Sequence, residues 1–202
     1  MLKTGRLCRG AGLLAALALT SALAGTGVDA QTWTTVMTGA AEAPPNSSPG
    51  TGSATFTLLG NVLTINGSFT GLTGNTTVAH IHCCTAVPLT GTAGVATTTP
   101  TFVGFPVGVT SGTFLLTLDL TQASSYNAAF VTANGGIAGA QAALVGGMNG
   151  GRAYLNIHTT AFPGGEIRGF ATSVVPEPSS VFLTAAGLLG VGALMMRRRR
   201  TM

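Results

Sequence analysis

Along the middle of this chain apolar and polar positions alternate over short stretches, and Gly, Pro and Asn separate the stretches. Trp33 to Thr38 alternates and reads as a first strand. Gly52 to Leu59 puts Ala54, Phe56 and Leu58 on one face, and Val62 to Phe69 does the same with Leu63, Ile65 and Phe69. Gly60-Asn61 between them is a two-residue turn signal, so the pair predicts a β-hairpin. Thr77 to His82, Thr113 to Leu120, Arg152 to His158 and Glu166 to Thr172 supply further strands. In the stretch from Arg152, Ala153, Leu155 and Ile157 form an apolar face, and Tyr154, Asn156 and His158 form a polar one.

Two short helices are predicted between these strands. The first is capped by Thr121, carries Ala123, Tyr126, Ala129, Phe130 and Ala133 near helical spacing, and stops at Asn134-Gly135-Gly136. The second runs from Gly139 to Met148 and stops at Asn149-Gly150-Gly151. Residues 39–50 and 85–112 read as loops from their Pro, Gly, Ser and Thr content. A loop as long as the second, without structure of its own, is often functional. Six or seven short strands with this punctuation predict an all-β fold: an antiparallel Greek-key β-sandwich, immunoglobulin-like or superoxide-dismutase-like, with one or two short helices.

The two ends depart from this pattern. Lys3, Arg6 and Arg9 precede an uncharged apolar run from Gly10 to Ala24, and small residues offer cleavage after Ala24 or Ala30. Residues 1–30 therefore read as a secretory signal peptide with its helix. At the other end, Pro176-Glu177-Pro178 precedes an apolar run from Val181 to Met196, followed by Arg197, Arg198, Arg199 and Arg200. The run predicts a transmembrane helix over 180–196, its usable length extended by the arginines, with the C-terminus cytoplasmic. The order of these three parts resembles the PEP-CTERM sorting signal of Gram-negative bacteria and covers residues 175–200, within a terminal segment 173–202. The resemblance implies exosortase and the secretion machinery as partners. It also implies a precursor held transiently in the inner membrane and then placed at the cell surface or outside the cell, in an exopolysaccharide or biofilm setting.

Charge changes the picture little once the ends are set aside. The 202 residues carry a formal +4, yet between 31 and 175 there are three acids (Glu42, Asp119, Glu166) against two arginines (Arg152, Arg168). The basic balance belongs to the ends and gives no nucleic-acid footprint. A domain whose surface polarity comes from Thr, Ser and Asn suits an extracellular setting.

Chemically capable side chains concentrate in Ala79-His80-Ile81-His82-Cys83-Cys84. On a strand His80 and His82 share a face, and His158, on another strand, would complete three imidazoles. Such a set suits one Cu or Zn ion. Glu166 and Arg168 share a strand face and are candidate supporting groups, paired with each other or with the histidines. The same histidines also read as neutral, hydrogen-bonded imidazoles that join two sheets. Cys83 and Cys84 have three readings: a vicinal disulfide just past the strand end, buried free thiols, or one thiolate joining the histidines on a metal. There is no Gly-x-Ser-x-Gly elbow, no Walker loop and no dinucleotide fingerprint, and no enzyme activity is expected.

Several segments in order carry a second resemblance. They are Gly39-Ala40-Ala41-Glu42-Ala43-Pro44-Pro45, Gly50-Thr51-Gly52-Ser53-Ala54-Thr55-Phe56, Ala79-His80-Ile81-His82, Tyr154-Leu155-Asn156-Ile157-His158-Thr159 and Phe162-Pro163-Gly164-Gly165-Glu166-Ile167-Arg168-Gly169. Together they look like the CHRD domain over residues 33–171, nearly the whole exported segment 31–172. The resemblance implies an extracellular domain and little about its chemistry; Cys83-Cys84 departs from its pattern. The His-x-His pair with a distant histidine is also similar to copper/zinc superoxide dismutase. No fourth histidine exists to bridge two metals, and the zinc-binding loop is missing, so dismutase activity is not expected. Two functional readings follow. The first is a structural or adhesive surface or matrix protein that binds polysaccharide or another surface protein, for which the 85–112 loop is a candidate. The alternative is a mononuclear Cu- or Zn-binding protein using His80, His82 and His158.

Overall fold

The structure, a computed structural model, describes residues 30–174 and Leu189. The expected leader and the terminal signal, including Pro176, Glu177, Pro178 and Arg197 to Arg200, lie outside the described residues apart from Ala30 and Leu189. Among the described residues no helix is long and apolar enough to cross a membrane.

Alternation builds the first half of the sheet. β1 (Gln31–Thr38), β2 (Thr51–Leu59) and β3 (Val62–Thr70) pair antiparallel, with Trp33 opposite Phe56 and Phe56 opposite Ile65. Gly60 sits at φ 59°, the left-handed geometry that a two-residue hairpin turn requires. β4 (Thr76–His82), β5 (Gly112–Asp119), β6 (Tyr154–Thr159), β7 (Ile167–Phe170) and the two-residue β8 (Thr172–Ser173) complete one antiparallel sheet. Its order is β4-β6-β7-β1-β2-β3-β5, with β8 also on β1. The sheet is continuous and curls into a half-barrel, so its two halves share one core like the layers of a sandwich. Trp33, Phe56, Leu63 and Ile65 enter the core from one half, and Ile81, Leu155 and Ile157 from the other. Each such side chain contributes about 1.5–3 kcal/mol of burial free energy.

Two short helices close the open side. α1 (Ala128–Ala133) starts at Asn127, whose side chain accepts the Ala129 N–H at 3.0 Å. The expected cap, Thr121, instead turns its hydroxyl to Asp119 at 2.7 Å, because the chain makes a separate 3-10 turn at Ala123–Ser125 first. α2 (Ile137–Asn149) buries Ala140, Leu144 and Met148 against the sheet. Its last residue, Asn149, accepts the Trp33 indole N–H at 3.1 Å.

The segment 85–112 is not a free loop. Ala96 N–H donates to Ile81 O, Cys83 N–H to Gly94 O and Phe102 N–H to Ala79 O, while Thr97 and Thr101 hydroxyls accept from Ile81 and Ala79 N–H. The segment thus satisfies the outer edge of β4, and Phe102 and Phe105 drop into the core. The polar face of β6 is covered as well: Tyr154 and Asn156 are buried there along with His80 and His82. The 39–46 and 91–100 segments and the Pro163 turn cover that face.

Candidate metal centre

β4 and β6 pair so that Val78 is opposite His158, His80 opposite Asn156 and His82 opposite Tyr154. The core takes Ala79, Ile81, Leu155 and Ile157, so strand alternation sends the histidines to the other side. There the three rings lie 5.4–6.0 Å apart between centroids. One nitrogen of each ring lies within 4.8 Å of the others.

Each ring is oriented by a backbone carbonyl. His82 Nδ1 bonds Ala93 O at 2.9 Å, His158 Nδ1 bonds Pro163 O at 2.9 Å, and His80 Nε2 bonds Pro100 O. A carbonyl only accepts, so the bonded nitrogen carries the proton and the other nitrogen keeps its lone pair. Those other nitrogens, His80 Nδ1, His82 Nε2 and His158 Nε2, are shielded from solvent and have no hydrogen-bond partner. Burial pushes the His82 ring down to about 4, only partly opposed by the Ala93 bond, and neighbouring His158, His80 and Arg168 lower it further. Burial lowers His80 and His158 likewise. All three are therefore neutral at neutral pH, the form that ligates metal.

The site rests on a buried polar layer. Tyr154 lies flat against His82, and its hydroxyl exchanges hydrogen bonds with both backbone groups of Ala93. From the other neighbouring strand, the Arg168 guanidinium stands 4.8 Å from the Tyr154 ring centroid. Arg168 donates to Ala41 O at 2.5 Å and Gly91 O at 3.0 Å, tying both covering segments to β7. Its acidic neighbour is Glu42, at 3.8 Å. Burial raises the Glu42 carboxyl to about 7, against the lowering effects of Arg168 and the Ala43 N–H. Gly165, at φ 128°, packs where any Cβ would strike Asn156 and Glu42.

Glu166 has a different place from the one expected. It stands one residue before β7 and turns away from Arg168 and the histidines. Its carboxylate accepts from Ser48 Oγ, Thr73 N–H, Gly74 N–H and Thr159 Oγ1. The parity argument that paired it with Arg168 fails because the residue lies outside the strand ladder. Glu42, Tyr154 and Asn156 are members of the site that sequence reasoning passed over. For Glu42 the available signal was its place in the Gly39–Pro45 segment.

Cys83 and Cys84 are joined by a disulfide. Cys83 follows His82 and so points to the opposite side of β4. Both sulfurs rest on α2, 3.7 and 3.4 Å from Ala143 O, where Gly147 leaves room. No thiolate faces the histidines.

A surface depression lies elsewhere among the described residues. It is a groove of about 660 Å³ on the outer face of β1, β2, β3 and β5, bordered by Val36, Ser53, Ser68 and Thr113.

The architecture is a curled antiparallel sheet with two short helices and a polar layer on its outer face. The CHRD domain family matches residues 33–171, and the chain belongs to that family. No curated protein and no solved structure matches the chain.

Proposed function

We propose that this chain is an exported protein whose CHRD domain binds one Cu or Zn ion through His80, His82 and His158. The observation that carries the reading is the set of three solvent-shielded ring nitrogens without hydrogen-bond partners. A buried acceptor left unpaired costs roughly 1–3 kcal/mol, and three converging acceptors have no mutual hydrogen to share. A cation relieves all three. The carbonyls of Pro100, Ala93 and Pro163 hold the rings in the ligating tautomer, as outer partners do at metal sites. The role proposed is binding: the three nitrogens are themselves shielded from solvent. Elemental analysis of the protein purified from its own host tests this: near-stoichiometric Cu or Zn supports it, and metal-free protein overturns it.

The leader-like start and the Pro176-Glu177-Pro178, apolar, Arg197–Arg200 end support export through the secretion machinery. They also support processing by an exosortase at the inner membrane and delivery to the surface of a Gram-negative cell or beyond it. Mass spectrometry of the mature chain tests both termini.

A second, adhesive role is favoured by one feature. The outer face of β1, β2, β3 and β5 aligns Thr32, Thr57, Thr64 and Thr117 in one row, and Val36, Ser53, Ser68 and Thr113 in another. Apart from Val36 the rows carry hydroxyls, and none of these residues is charged, which suits a neutral polysaccharide. Ser68→Glu should abolish retention on such a polymer; unchanged retention would remove the reading.

A further inference from the structure

The histidine cluster also discriminates between ions. Resting on the reading that His80, His82 and His158 hold a metal, we infer that the ion is monovalent Cu(I) in three-coordinate geometry rather than Zn(II) or Cu(II).

Three features point the same way. The first is the donor count. Zn(II) sites take four ligands, and Cu(II) prefers a tetragonal set of four or more. Cu(I), a d10 ion, is satisfied by three. Cys83 and Cys84 are held in a disulfide on the far side of β4, and Glu166 is engaged by four donors elsewhere. The second is closure. The three free nitrogens are shielded from solvent, and none of the surface depressions described reaches them. A fourth position for water therefore does not open directly to bulk solvent. Ligation at the ~2.0–2.1 Å typical of metal–imidazole bonds needs the nitrogens closer to one another than 4.8 Å, the outer limit of their present spacing.

The third is charge. The donors are all neutral, and a fixed positive charge, the Arg168 guanidinium, is stacked over the ring that His82 lies against. One Glu42 oxygen stands 3.8 Å from Arg168 Nε and the other has no hydrogen-bond partner, and Glu42 is not among the residues whose ligand atoms cluster. The cost of placing an ion in such surroundings grows with the square of its charge, and repulsion from Arg168 grows in proportion to it. A divalent ion meets both penalties with no anionic ligand to offset them; a cuprous ion meets them in their mildest form.

The purified full-length chain is titrated anaerobically with Cu(I), using ascorbate as reductant so that the disulfide is left intact. Parallel titrations use Zn(II) and Cu(II), and each metal is then challenged with a chromophoric chelator matched to it. The expected result is retention of one Cu(I) per chain, loss of Zn(II) and Cu(II) to their chelators, and an X-ray absorption edge of three-coordinate Cu(I). Retention of Zn(II) or Cu(II) in preference, or a fourth light-atom ligand in the absorption spectrum, overturns the Cu(I) inference while leaving a metal site in place. Retention of no metal overturns both. The wild-type comparison needs no variant, so loss of folding in a histidine mutant does not blur the outcome.

Discussion

His82 lies flat on Tyr154, with ring centroids 4.8 Å apart and planes within 4°. The Ala93 carbonyl takes a hydrogen bond from each of them. One side chain thus sets the tilt of a candidate ligand and fastens the segment that covers it. Tyr154→Phe keeps the stack and loses the hydroxyl, so it should cost about 1 kcal/mol in chemical denaturation. Tyr154→Ala removes the ring as well and should cost about 3–5 kcal/mol. Equal losses in the two variants would show that the ring contacts contribute nothing.

Glu166 is fully buried. Burial alone raises its carboxyl, but hydrogen bonds from Ser48, Thr159, Thr73 and Gly74 outweigh it and leave the group below its ordinary 4.5. The folded state thus binds this proton less readily than the unfolded state. The contribution to stability is present above pH 4.5 and is lost as pH falls through the depressed value. Glu166→Gln leaves several donors without an anion and should cost upwards of about 3 kcal/mol at neutral pH. The gap between wild type and variant should narrow on acidification; a gap independent of pH would contradict the assignment.

Glu42 has the opposite sign. Its folded value, about 7, exceeds its ordinary 4.5, so the folded state holds the proton more tightly. This contribution is full below pH 4.5 and is lost as pH rises through about 7. The buried histidines titrate in an overlapping window with the opposite slope, so the useful quantity is a difference. Glu42→Gln cannot ionise, and its stability relative to wild type should increase from pH 4.5 to pH 8 in paired urea titrations. A flat difference would place the Glu42 carboxyl in solvent.

Much of this was legible in the chain and some was not, for physical reasons. The β2–β3 hairpin followed from local alternation and a glycine turn, both encoded within twenty residues. His80 and His82 followed from strand parity. The cap at Asn127 was missed because Asp119 engages Thr121, a side-chain competition that spacing does not reveal. What covers the outer face was not legible, because Tyr154 and Asn156 have the polarity of a solvent face yet are buried. Only contacts across long sequence distances cover them, and Arg168 meets Glu42 from 126 positions away.

Gly147 marks another such contact. A Cβ there would stand 2.3 and 2.5 Å from the two sulfurs of the Cys83–Cys84 disulfide. Alanine ordinarily favours a helix by about 1 kcal/mol over glycine. Gly147→Ala should nonetheless destabilise by about 1–3 kcal/mol, the usual cost of overpacking, because backbone on both sides resists the shift. Thermal denaturation checks the sign. A variant as stable as wild type or more so would mean that the disulfide does not rest on α2.

The central claim is that three imidazoles converge to hold one ion. Its most direct test is metal stoichiometry of the purified full-length chain, wild type against His82→Ala and His158→Ala, after equilibration with Cu and Zn and removal of loosely held ion. The account predicts one ion per wild-type chain and loss of tight binding in each variant, with circular dichroism confirming that the variants remain folded. A wild-type chain that retains no metal, or folded variants that retain as much as wild type, would contradict it.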